Sequence, residues 1–195
     1  MSARRAFIAI ELSASVQDVI QKQTARLREA LGESLVRWIP AGNIHLTLKF
    51  LGDLPASHVD FIKQMLSQEA AKHRRFDLQL GGLGAFPNSN QPRVLWLGLQ
   101  ASPALSALQR DIEAAAERLG YQKEQRAFSP HLTLGRTRQG LAAMDLQKIS
   151  LGMASVQLGR IAPARVDSVH LFKSDLGPAG PLYTKLFSAT LKTAA

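Results

Sequence analysis

The 195-residue chain contains no cysteine. That excludes a disulfide framework, a thiolate metal site and a cysteine nucleophile, and nothing in it calls for an oxidising compartment. Long hydrophobic runs are missing too. No window approaches the roughly 18 apolar residues of a spanning helix, and the stretch from Met1 to Leu12 has two arginines and a short alternating run where a signal peptide would carry an apolar core. A cytoplasmic protein is the expectation. Acidic residues are comparatively scarce, 15 Asp+Glu against 24 Lys+Arg, for a net charge of +9 and a pI near 10.4. An excess of that size favours an anionic partner such as RNA, DNA or a phosphorylated metabolite. The basic residues run from Arg4 to Lys192 without a block, so no charged tail is appended to a neutral domain.

What the chain does have is a repeated tetrapeptide. His45-Leu46-Thr47-Leu48 recurs as His131-Leu132-Thr133-Leu134. With five histidines and seven threonines in the sequence, chance placement gives roughly 0.2 His-x-Thr triplets, so two with the same flanking leucines imply two equivalent half-sites. Each copy alternates polar and apolar residues, the period of a half-buried strand, which sends His and Thr to one face and the leucines to the other.

The rest of the pattern mixes strands and helices. Ala6–Leu12 reads as a strand, followed by a helix capped by Ser13, with Val16, Val19, Ile20, Leu27 and Leu31 on one stripe and Gly32 as its stop. Val36–Ile39 and Ile44–Phe50 read as strands joined through Pro40-Ala41-Gly42-Asn43. Ser57 and Asp60 have the spacing of a capping box for a helix to about Lys72. Arg75–Leu83 and Arg93–Leu99 follow as strands separated by a loop at Gly84–Pro92, and Ser102-Pro103 opens a helix carrying Leu105, Leu108, Ile112 and Leu119. After the second motif strand, His131–Thr137, come a short helix over Ala142–Ile149 and strands at Ala154–Leu158, Arg165–Lys173 and Leu182–Leu191, turning at Gly177-Pro178-Ala179-Gly180. This irregular order predicts an α+β fold of largely antiparallel sheets with helices outside. A 195-residue chain without a linker is expected to form one domain.

Two imidazoles facing each other across a cleft supply a general base and a general acid near pH 7. That pair suits in-line displacement at phosphorus: one histidine takes a proton from the attacking water while the other protonates the departing oxygen. The threonine hydroxyls can hold the non-bridging oxygens where charge accumulates. Other chemistries fit less well. Neither motif has an acidic neighbour closer than Asp53, so metal-ligand spacing is lacking, and neither a GxxxxGK[ST] loop nor a Gly-x-Ser-x-Gly elbow occurs.

The segments Asn43-Ile44-His45-Leu46-Thr47-Leu48-Lys49-Phe50-Leu51-Gly52 and Phe128-Ser129-Pro130-His131-Leu132-Thr133-Leu134-Gly135-Arg136 closely resemble the two HxTx signatures of the 2H (two-histidine) phosphoesterases. Within that superfamily the chain resembles the LigT/ThpR branch, RNA 2',3'-cyclic phosphodiesterases once called 2'-5' RNA ligases. Phe7-Ile8-Ala9-Ile10, Arg93 to Leu99 and the segments around Ser174-Asp175-Leu176-Gly177-Pro178 and Pro181-Leu182-Tyr183 extend the likeness over nearly the whole chain. The resemblance implies a bilobal pseudo-twofold fold, one domain over residues 1–195 of two intertwined similar lobes with one motif each, and a groove between them. It implies cofactor-free, metal-independent opening of RNA 2',3'-cyclic phosphate ends to 2'-phosphates, by a monomer with RNA ends or nucleoside 2',3'-cyclic phosphates as partners and no membrane. His45 would be the proton donor and His131 the base, Thr47 and Thr133 would bind phosphate, and Arg136 would add contacts. Alternatives are a 2'-5' RNA ligase or 2'-5' oligonucleotide phosphodiesterase on the same histidines, and an RNA-binding module without turnover.

Several residues need the structure. Arg136 lies at the wrong strand parity to join His131 unless the strand bends at Gly135. Lys49 shares the parity of His45 and Thr47 and could lie along an RNA backbone or stand solvated at a sheet edge, whereas Phe50 has the parity of the leucines and is expected in the core. Trp38, Phe128 and Tyr183 are candidates to stack on a base or to pack at the core or rim. His58, His73 and His170 are expected to have no part in the site.

Overall fold

The computed structural model describes residues 5–159, 161–177 and 180–193. The apolar run after Arg5 forms β1 (Arg5–Glu11), and the Ser13 hydroxyl accepts a hydrogen bond from the Val16 N–H to start α1 (Ala14–Leu35). Gly32 breaks the helical geometry at φ 60°, which glycine adopts readily, and one further turn reaches Leu35. β2 (Val36–Trp38), a 3-10 turn at Ala41–Asn43 and β3 (His45–Asp53) follow. Then come α2 (Val59–Ala70), β4 (Phe76–Leu78), β5 (Leu80–Phe86), β6 (Val94–Leu99) and α3 (Pro103–Arg118), the last capped by Ser102. The chain closes with β7 (His131–Thr137), α4 (Ala143–Ser155), β8 (Ala164–Val166), β9 (Ser168–Gly177) and β10 (Gly180–Thr190).

The architecture is α+β, with antiparallel pairing throughout the sheets. The strands run β10-β9-β1-β3 in one half and β7-β6-β5 in the other, β2 lies beside β7, and β4 and β8 form a separate ribbon. The halves join where Leu46 of β3 pairs with Leu132 of β7. These leucines hold the same place in the two copies of the motif, so their antiparallel pairing relates the halves by a local twofold. One sheet face carries the helices over the main core, in which Leu46, Leu48, Leu132 and Leu134 are all buried. Each such leucine contributes about 1.5–3 kcal/mol by leaving water.

Local signals failed where tertiary packing overrode them. Ser57 caps nothing: Ala56–His58 is a 3-10 turn, and α2 begins at Val59 without a side-chain cap. The strand expected at Ala154–Leu158 does not form. Helix α4 instead continues to Ser155, because Met153 lies one turn beyond Ile149 on the buried face and Gly152 packs against Leu31 of α1. Arg75–Leu83 is divided into β4 and β5, and β5 continues to Phe86, past the expected loop start at Gly84. Of the expected turn at 177–180, Pro178 and Ala179 lie outside the described residues.

Candidate active site

Each motif strand is disturbed at the same place. Along β3, Thr47 pairs with Ala9 and Lys49 with Ile8, leaving Leu48 as the extra residue of a bulge. Along β7, Thr133 pairs with Trp96 and Gly135 with Leu95, leaving Leu134 extra. A bulge of one residue reverses the parity of everything after it. Arg136 therefore joins His131 and Thr133 on the open face, and its charge is felt by the Tyr183 hydroxyl from the other half. The bend lies one residue earlier than the Gly135 expected for it.

The same reversal exchanges the roles expected of Lys49 and Phe50. Phe50 is 67% exposed and faces Phe7 on the open side. The Lys49 side chain is only 2% exposed and forms a buried ion pair with Glu113 of α3. Its ammonium also donates to the Gln122 carbonyl at 2.6 Å, and Glu113 accepts from the Glu124 N–H at 2.9 Å. Lys49 thus ties the first motif strand to the segment that leads into the second.

The two histidines are held alike. His45 Nδ1 lies 2.8 Å from the Asn43 carbonyl and His131 Nδ1 lies 2.7 Å from the Ser129 carbonyl. A carbonyl only accepts, so each Nδ1 carries the hydrogen and each Nε2 is left for proton transfer. Their surroundings differ more. His45 stacks on Phe7 at 4.8 Å between ring centroids and meets Tyr183 edge-on at 5.2 Å, whereas His131 meets Phe86 edge-on at 4.9 Å with Trp96 beyond it. Burial pushes the His45 pKa below the usual histidine value. The Asn43 carbonyl and the Glu11 carboxylate oppose that fall, and the His131 charge adds to it. Mutual repulsion between the imidazoles favours one proton over two, the state an acid-base pair requires.

Glu11 breaks the symmetry. It sits opposite His45 across the β1–β3 ladder, while the equivalent place opposite His131 is Gly98. Glu11 is also paired with Lys185. Because its field favours imidazolium, Glu11→Gln is expected to lower the His45 pKa further, read by NMR titration of the two imidazoles. An unchanged His45 titration would remove Glu11 from the site's electrostatics.

His170, expected to be a bystander, belongs to this face: Ser188 Oγ lies 2.8 Å from its Nδ1 and Ser168 Oγ 3.1 Å from its Nε2, and its ring meets Phe172. Burial pushes its pKa down, with Lys185 adding to the fall and Glu11 opposing it. His58 contacts Tyr121 and His73 contacts Asp111, both away from the motifs. Trp38 is core, its indole N–H donating to the Gly32 carbonyl at 3.3 Å under the Arg28 guanidinium. Phe128 packs against the core, and Tyr183 alone of the three aromatic candidates touches a motif histidine. Sequence reasoning missed Glu11, Phe7, Phe86 and Trp96 because each enters through cross-strand pairing. Among the described residues, no three His, Cys, Asp or Glu side chains gather as a metal site.

This geometry coincides with what the chain's relatives are. The family model for the 2'-5' RNA ligase superfamily matches residues 16–178. The chain belongs to that superfamily. Among its members, a Methanothermobacter thermautotrophicus protein named RNA 2',3'-cyclic phosphodiesterase is 31% identical over 93% of this chain and 96% of its own. An Aeropyrum pernix protein of the same name is 31% identical, covering 84% and 92%. Among solved structures, Escherichia coli LigT complexed with 3'-AMP superposes with a TM-score of 0.78 at 26% identity, over 97% of this chain and 99% of that one. LigT has also been crystallised with phosphate.

Proposed function

We propose that this superfamily member hydrolyses RNA 2',3'-cyclic phosphate ends to 2'-phosphomonoesters, with His45 as general acid and His131 as general base. The observation that carries the reading is the pair of motif imidazoles set about a local twofold, each with Nδ1 bound to a backbone carbonyl and Nε2 without a hydrogen-bond partner among the described residues. His131 Nε2 takes a proton from water as its oxygen attacks phosphorus. The bond from phosphorus to the 3' oxygen breaks, and His45 Nε2–H protonates that oxygen, leaving the phosphate on the 2' position. Thr47, Thr133 and Arg136, on the same face, hold the non-bridging oxygens as charge builds. The two halves act as lobes of one domain, each supplying one motif.

Glu11 supports giving the acid role to His45, since it stabilises imidazolium there and has no counterpart beside His131. Burial holds the His45 pKa below the usual histidine value in the free enzyme. An arriving phosphate anion offsets that burial, so the acid is charged as substrate binds. The names of the relatives support the substrate class, and the net charge of +9 suits an RNA end.

The test is incubation with a nucleoside 2',3'-cyclic phosphate in EDTA. The 2'-phosphate is expected to appear at the rate seen without chelator. No product, or a 3'-phosphate, would overturn the reading. The superfamily's description as ligases favours a second activity, in which a ribose hydroxyl replaces water; adding an RNA bearing a free 5'-hydroxyl to the same incubation scores it.

A further inference from the structure

Strand β2 pairs antiparallel with β7 so that Arg37 stands directly opposite Arg136. Val36 and Trp38 on either side are buried in the core, where they crowd Gly135: a side chain there would come within 2.6 Å of Val36 and 3.1 Å of Trp38. Arg37, between them, points to the other face of the sheet. Arg136 points the same way, because the bulge at Leu134 returns it to the side of His131 and Thr133. Both arginines are exposed, and among the described residues neither has a carboxylate within ion-pairing distance.

Like charges directly opposed across a ladder cost stability. Two arginines paired across a ladder on one exposed sheet face, with no carboxylate within ion-pairing distance among the described residues, form a site for anionic oxygens, and the planar fork of arginine suits phosphate in particular. Arg136 continues the row of His131 and Thr133 on the face where the reacting phosphate is proposed to lie. Arg37 lies one strand across from that row, on the edge of β7 that also meets β3, where it can hold a second phosphate beside the first. A nucleoside 2',3'-cyclic phosphate has only that one phosphate. An RNA chain has another on the 5' oxygen of its terminal nucleoside.

We propose that Arg37 binds this adjacent internucleotide phosphate, so that the groove takes the end of an RNA chain in preference to a free cyclic nucleotide. The inference rests on the phosphodiesterase reading above. Arg37 is then a specificity determinant that takes no part in the proton transfers.

Three substrates separate the cases: a nucleoside 2',3'-cyclic phosphate, the same compound with a 5'-phosphate, and a trinucleotide ending in the cyclic phosphate. Arg37→Ala is expected to raise KM at least about tenfold for the second and third with kcat unchanged, and to leave the first unaffected. Arg37→Lys should recover part of the loss. Binding of a short RNA with a 2'-phosphate end is read alongside, because it needs no turnover: Arg37→Ala should weaken it and reduce the slope of log affinity against log salt by about one. Thermal stability should be unchanged or higher, since the substitution relieves the repulsion. Equal losses on all three substrates, or unaltered RNA binding and salt dependence, would overturn the proposal. If the wild-type protein binds the RNA through Arg37 but turns over none of the substrates, the phosphodiesterase reading falls and the subsite stands.

Discussion

Replacing either motif histidine with alanine is expected to lower kcat on a 2',3'-cyclic phosphate by at least about a hundredfold, the scale of general acid-base catalysis. The expectation is symmetrical because the local structure is symmetrical: each imidazole stands two residues after the carbonyl that fixes its tautomer. The double mutant should be little slower than the worse single mutant, since an acid and a base acting in one step lose their value together. Both side chains are partly exposed at the open face, so the variants should melt close to the wild-type temperature. Steady-state kinetics with a thermal scan of the same samples checks both halves. A fully active single mutant would remove that histidine from the mechanism.

Removing the buried ammonium of Lys49 is expected to have the largest effect on stability. Lys49→Met strips the Glu113 carboxylate of its partner in a place where that side chain is only 11% exposed, and it also frees the Gln122 carbonyl. Breaking one side of a buried ion pair costs about 3–5 kcal/mol because a charge is left without compensation. For a protein of this size that is a fall in Tm of roughly 6–20 °C. The double variant Lys49→Met, Glu113→Leu should recover much of the loss, since it leaves no buried charge. Equal destabilisation by the single and double variants would mean that packing, not charge compensation, dominates there. Because Lys49 anchors the segment entering β7, the single variant should also blur the position of His131 and lower kcat.

The motifs were legible because their chemistry and their geometry share one signal. His-x-Thr at strand period puts an acid-base group and a hydroxyl on one face, and both copies do so. Helix starts were legible at Ser13 and Ser102, where a hydroxyl satisfies an amide three residues on. Lys49 and Phe50 were misassigned for a single reason. Alternation is read outward from the motif, and the bulge at Leu48 shifts it by one. The same shift after Leu134 brings Arg136 to the site. Nothing local encodes either bulge; each depends on register against β1 or β6, set by residues far away in sequence. The face that His170 occupies was not legible for a related reason, because a lone histidine in a strand shows nothing of the neighbour across the ladder. Pairing with Ala9 puts it on the face of Phe7 and Phe172.

The proposed division of labour between the histidines rests on Glu11 facing His45 and Gly98 facing His131. It is tested most directly by replacing the departing 3' oxygen of the cyclic phosphate with sulfur. A thiolate leaves without being protonated, so a substrate of this kind needs the base but no acid. His45→Ala is expected to regain most of the wild-type rate on the sulfur substrate while His131→Ala stays at least about a hundredfold slower. Rescue of His131→Ala instead, or of neither variant, would contradict that division.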